Sequence, residues 1–175
     1  MTMWVFGYGS LIWNPGFETA ERVIARLPGY ARTFCMRSIH HRGTVDNPGL
    51  VLALDEYDGH VCEGVALRVP QGQENQVLSY LRERELVSSA YLEKNLRLIL
   101  ADGRIEEALA YVVDPDHVQY CGGLDLDEQA RIIASAQGGM GPNHEYLLNT
   151  HSHLTELGIH DPEIDWLARR VRVML

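Results

Sequence analysis

Apolar and polar residues change their spacing about two-thirds of the way along the chain. Before that point short apolar or alternating runs predict strands at residues 3–8, 21–27, 31–37, 50–57, 60–69, 92–100 and 105–113. Asp58-Gly59 and Asp102-Gly103 each lie between two such runs, where a tight turn needs positive φ, and they predict two hairpins. One helix, over roughly 72–86, interrupts the strands just after Pro70. The last third has helical spacing. Asp125 and Glu128 are placed as a capping box for residues 126–136, residues 143–157 are stopped by Gly158, and Asp161-Pro162 supply N-cap and first helical position for residues 162–174. Strands that close into a barrel or curled sheet with helices packed outside give an α+β fold. No repeat, low-complexity tract or linker divides the sequence, and its 175 residues fit a single domain, 1–175.

The helix after Pro70 carries the first chemical clue. Leu78, Leu81 and Glu85 fall at i, i+3 and i+7, which puts Glu85 on the apolar stripe while Arg82, Glu83 and Arg84 project elsewhere. Burial disfavours a charged carboxylate and raises its pKa, as a general acid or base near neutral pH requires. An ion pair of Glu85 with Arg84 or another cation at the helix end accounts for the same position.

A second clue is Phe6-Gly7-Tyr8-Gly9-Ser10-Leu11, an apolar strand running into two glycines. Successive amides in such a turn form a concave anion site, and glycine lets backbone approach a ligand; a strand ending in a tight turn fits the same residues. Ile12 stands where a dinucleotide fingerprint needs its third glycine. Ser10 is not centred in G-x-S-x-G, so it reads as a binding residue rather than a nucleophile. In the polar loop from Ser38 to Gly43, Arg42 is placed either to clamp a substrate carboxylate or to bridge two surface elements.

Composition narrows the function further. A formal charge of −9 argues against nucleic acid or an anionic membrane as partner. Cys35, Cys62 and Cys121 form neither a disulfide framework nor a C-x-x-C pair, which suits a reducing cytosol. Among eight histidines, His40-His41 and His151-x-His153 lack helix-borne ligand spacing and no H-E-x-x-H occurs, so no metal is expected. With no basic n-region and no apolar span of membrane length, the expectation is a cytoplasmic protein.

Five blocks in order carry a family resemblance: Trp4 to Trp13; His41-Arg42-Gly43 with Pro48-Gly49; Arg84-Glu85-Leu86 with Tyr91; Tyr120 to Leu124; and Asn143 to Leu147. Over nearly its whole length the chain resembles the ChaC-like γ-glutamylcyclotransferases, particularly their bacterial branch. The resemblance implies a small mixed β-barrel with flanking helices. It implies that Tyr8, Gly9, Ser10 and Leu11 cradle a γ-glutamyl group, that Glu85 is the catalytic acid/base, and that Tyr146 contacts the glutamyl head. The implied reaction releases 5-oxoproline and Cys-Gly from the small-molecule substrate glutathione, with no cofactor, because the substrate's own α-amine attacks its γ-carbonyl. Other γ-glutamyl amino acids or amines are alternative substrates, and a non-catalytic γ-glutamyl-binding regulator associated with cation transport is the alternative class. The sequence departs from several relatives at 87–90, Val-Ser-Ser-Ala, where they carry a glycine before the tyrosine matching Tyr91.

Overall fold

Trp4, Val5, Phe6 and Gly7 are all buried, the mark of a strand covered on both faces. This strand, β1 (Trp4–Gly7), is flanked on both edges in a computed structural model that describes residues 2–86 and 89–175. Its neighbours are β3 (Gly49–Arg68), antiparallel with Trp4 opposite Arg68, and β5 (Ile105–Val113), parallel with Val5 opposite Leu109. With β2 (Glu21–Ser38) and β4 (Tyr91–Leu100) they close a barrel in the order β1-β3-β2-β4-β5. The expected mixed barrel is therefore present.

The chain forms two compact units, residues 1–32 with 54–117 and residues 33–53 with 118–175. Their boundaries fall inside β2, inside β3 and after β5 rather than in a linker.

In the first unit, Trp4, Phe6, Leu27, Leu54, Ala66, Leu98, Leu100 and Val112 share one core. Alternation along paired strands aims these side chains to one side of the sheet. The Asp102-Gly103 hairpin joins β4 to β5 as expected, with Ile99 opposite Ile105 and Gly103 at φ 93°. The runs 50–57 and 60–69 form one element, β3, rather than two. The expected turn is nevertheless inside it. Gly59 has φ 82°, and the rings of Tyr57 and His60 lie 4.5 Å apart, whereas three residues of straight strand span about 10 Å and end on opposite faces. The runs 21–27 and 31–37 likewise belong to one element, β2, which passes through Gly29 at φ 86°. This unit also contains α2 (Glu74–Glu85) and a four-residue helix the sequence pattern did not predict, α1 (Ser10–Trp13).

The second unit holds α3 (Leu126–Ser135), the two-residue strands β6 (Gln137–Gly138) and β7 (Gly141–Pro142), α4 (Asn143–Glu156) and α5 (Pro162–Met174). The Asp125 carboxylate accepts from the Glu128 N–H at 2.8 Å, and Asp161 accepts from the Ile164 N–H with Pro162 opening the helix. Both caps stand where the sequence placed them. Gly158, at φ 73°, takes the left-handed conformation that ends α4. Buried Asn143 ties α4 to the start of β3: its Oδ1 accepts from the Leu50 N–H and its Nδ2 donates to the Leu50 carbonyl, each at 2.8 Å.

Candidate active site

Helix α2 is anchored by Val77 and Leu81, the latter fully buried. One turn beyond Leu81 the helix ends at Glu85, whose side chain retains 18% of its exposure. Burial pushes its carboxyl above the ordinary glutamate range, against the pull of the neighbouring Arg84 guanidinium. The apolar-stripe expectation for Glu85 and the ion-pair expectation thus hold together, because Arg84 Nε lies 3.5 Å from Glu85 Oε1. Arg84 does not project away from Glu85 as the helical spacing suggested. A long side chain at a helix terminus is free to fold back along the axis.

Arg84 also reaches the glycine-containing turn. Its Nη2 donates to Ser10 Oγ at 3.0 Å, and its Nη1 donates to the carbonyls of Asn14 and Pro15 and to the Tyr80 hydroxyl. Arg22 donates to the Ile12 carbonyl. Two guanidinium groups therefore hold carbonyls at and just past the C-terminal end of α1, a helix too short to stand without outside partners.

The strand leading into α1 is held by a third arginine. Arg32, only 5% exposed, donates from Nε to the Tyr8 carbonyl at 2.7 Å and from Nη2 to the Glu63 carbonyl at 2.5 Å. Gly7 sits close, since a Cβ there would lie 3.3 Å from the Leu11 Cβ. Gly9 behaves differently: a Cβ there would meet nothing within 4 Å among the described residues. The space in front of it is open among the described residues. As first residues of α1, Ser10 and Leu11 have N–H groups with no intrahelical acceptor; Ser10 is exposed and Leu11 buried.

Beyond Glu85, Arg82 forms a two-pronged pair with Glu93 at 2.9 and 3.0 Å, and Glu93 accepts from the Tyr111 hydroxyl at 2.9 Å. Burial first, then Glu93 and the more distant Glu85, push the Tyr111 hydroxyl well above its ordinary range. It therefore remains a donor.

The other two sequence candidates belong to the second unit, where they touch one another. Arg42 donates to the Pro142 carbonyl at 3.1 Å and stacks over the Tyr146 ring, 5.8 Å from its centroid. The Tyr146 hydroxyl accepts from the Leu52 N–H at 3.2 Å, and its ring meets Phe34 edge-on. Among the described residues no group of three or more His, Cys, Asp or Glu side chains is arranged to hold a metal ion, and no helix is long and apolar enough to cross a membrane.

A model of the ChaC-like protein family matches residues 3–174. The chain belongs to the ChaC-like family. An Escherichia coli (strain K12) relative named glutathione-specific gamma-glutamylcyclotransferase is 38% identical over 173 residues, which span 99% of this chain and 74% of the relative. Arabidopsis thaliana gamma-glutamylcyclotransferase 2-3 is 35% identical over 181 residues, covering 100% of this chain and 91% of that protein. Among solved structures, a yeast gamma-glutamyl cyclotransferase described as specific to glutathione superposes with a TM-score of 0.87 at 26% identity, covering 98% of this chain and 96% of that one. Within this ChaC-like chain, sequence reading missed Arg32 and gave Arg84 no role in the site. Arg32 had a signal in the pattern, a charge inside the apolar run from Tyr30 to Met36. For the contact of Arg84 with Ser10, 74 residues away, there was none.

Proposed function

We propose that this ChaC-like protein is a γ-glutamylcyclotransferase that converts glutathione to 5-oxoproline and Cys-Gly, acting as one functional domain over residues 1–175. The reading rests chiefly on Glu85, a desolvated carboxylate of raised pKa linked through Arg84 to Ser10 of the Tyr8–Leu11 turn. The names of the E. coli and yeast relatives support glutathione as substrate.

In this mechanism the turn at Tyr8, Gly9, Ser10 and Leu11 holds the γ-glutamyl group, with the open space before Gly9 admitting it and the Ser10 and Leu11 amides facing its negative oxygen. Holding amine and carbonyl in near-attack geometry makes ring closure effectively unimolecular, an advantage of up to about 7–11 kcal/mol in well-oriented systems. Glu85 takes a proton from the α-ammonium, the freed amine attacks the γ-carbonyl carbon, and the tetrahedral intermediate expels the cysteinyl nitrogen. The nitrogen entering the ring sheds two protons in all and the departing nitrogen gains two, so Glu85 ends as it began, a carboxylate. Arg42 and Tyr146 are assigned first to the framework around Pro142 and Leu52, and Tyr146 additionally to the glutamyl head. Cys35, Cys62 and Cys121, none of them in a disulfide among the described residues, support the cytoplasm as the working compartment.

The test is incubation of the purified protein with glutathione and, separately, with γ-glutamyl-alanine, following products by mass spectrometry. Appearance of 5-oxoproline with Cys-Gly from glutathione alone bears out the proposal. Turnover of γ-glutamyl-alanine instead selects the broader substrate class, which the Arabidopsis relative's name leaves open. Binding without product selects the regulator.

A further inference from the structure

Arg84 is more engaged than a surface ion pair requires. Its guanidinium lies within hydrogen-bond reach of Ser10 Oγ at the start of α1, of the Asn14 and Pro15 carbonyls just past its other end and of the Tyr80 hydroxyl on its own helix, Nη1 sharing its two protons among the last three, and it is ion-paired with Glu85. Its side chain is only 20% exposed. We propose that Arg84 is the positioning residue of the site, a single planar cation that fixes the Ser10 hydroxyl and the Glu85 carboxylate in one geometry. This inference rests on the cyclotransferase reading for its catalytic consequence, and on the contacts alone for its geometry.

The chemistry follows from the donor directions. Because Ser10 Oγ accepts from Arg84, the Ser10 O–H proton is left to donate elsewhere, toward an oxygen of a ligand held in the turn. Because the guanidinium cannot lose its proton, the positive charge beside Glu85 is permanent and favours the ionised carboxylate against burial. Tyr80 restrains the arrangement from the other side: a Cβ at Gly16 would lie 1.8 Å from the Tyr80 hydroxyl, so the loop after α1 lies directly on the ring that supports Arg84. Among the described residues, the groups that interact with Glu85 include Arg84 on its own helix and, at longer range, the Tyr111 hydroxyl on β5.

A lysine keeps the charge but offers a compact ammonium in place of a fork, so it cannot serve Ser10, Asn14 and Glu85 together. The experiment compares Arg84→Lys, Arg84→Met and Ser10→Ala with the wild type, measuring kcat, KM and the pH dependence of kcat/KM on glutathione. It also follows the titration midpoint of the Glu85 carboxyl by carbon NMR. We expect Arg84→Met to lose about 100-fold in kcat/KM, as misplacement by an ångström does, and to move both the acidic limb and the NMR midpoint to higher pH. Arg84→Lys should lose about tenfold or more with the midpoint near that of the wild type. Ser10→Ala should cost less on top of Arg84→Lys than it costs alone, since the two act through one contact. A midpoint unmoved in Arg84→Met, or additive losses for Ser10→Ala and Arg84→Lys, overturns the proposal. If the wild type makes no 5-oxoproline, the activity reading fails, while the NMR midpoints still decide whether Arg84 sets the state of Glu85.

Discussion

Replacing Glu85 by Gln separates a catalytic carboxylate from a structural ion pair by the sign of its effect on stability. In the folded chain the Glu85 carboxyl titrates above its unfolded value of 4.5, and burial outweighs the attraction of Arg84, 3.5 Å away. The fold therefore prefers the protonated form. The stability this group contributes is fully present below the unfolded pKa and is lost as pH rises through the folded pKa. At neutral pH the wild type carries a desolvated charge that glutamine, of the same shape and neutral, does not. Each tenfold displacement of the ionisation equilibrium is about 1.4 kcal/mol. In a chain of 175 residues each kcal/mol moves Tm by about 2–4 °C. Thermal denaturation of wild type and Glu85→Gln across a pH series should show the variant more stable near pH 7.5, with the gap closing by about pH 4 as Glu85 protonates. The same variant should lose at least about 100-fold in turnover, the usual share of a positioned acid/base. A variant less stable than the wild type at neutral pH, with turnover retained, would refute the reasoning and make Glu85 the partner of Arg84 and nothing more.

Gly9→Ala should raise KM for glutathione, because its Cβ projects into the open space that receives substrate; steady-state kinetics, beside a melting curve that follows the fold, check it. Gly43→Ala should unfold or strongly destabilise the chain, because its Cβ would lie 2.0 Å from the Gly49 nitrogen and 2.5 Å from the Ser38 carbonyl, as denaturant titration will show. Asn143→Ala should cost about 2–5 kcal/mol by leaving the buried Leu50 amide and carbonyl unpaired, also measured by denaturant titration. Turnover should survive exhaustive chelation, because intramolecular aminolysis needs a proton carrier and no Lewis acid; a mass-spectrometric 5-oxoproline assay after metal removal checks it.

Local signals in the sequence determined the caps at Asp125 and Asp161, the stop at Gly158, the Asp102-Gly103 hairpin and the apolar-stripe position of Glu85, because each depends on residues within a turn or two of one another. The five ordered blocks identified the family, and with it the barrel. The pattern suggested breaks at Gly29 and Gly59, and the folded chain carries β2 and β3 through both with the glycines at positive φ, a continuity that depends on strand partners distant in sequence. The helix α1 was invisible for a related reason. Four residues cannot nucleate a helix alone, and Arg22 and Arg84, from other parts of the chain, bond the Ile12 carbonyl within it and the Asn14 carbonyl just past it. The link from Ser10 through Arg84 to Glu85 belongs wholly to the tertiary structure: helical spacing fixes where a Cβ points, while the far end of a long, flexible arginine goes wherever the folded chain offers it acceptors.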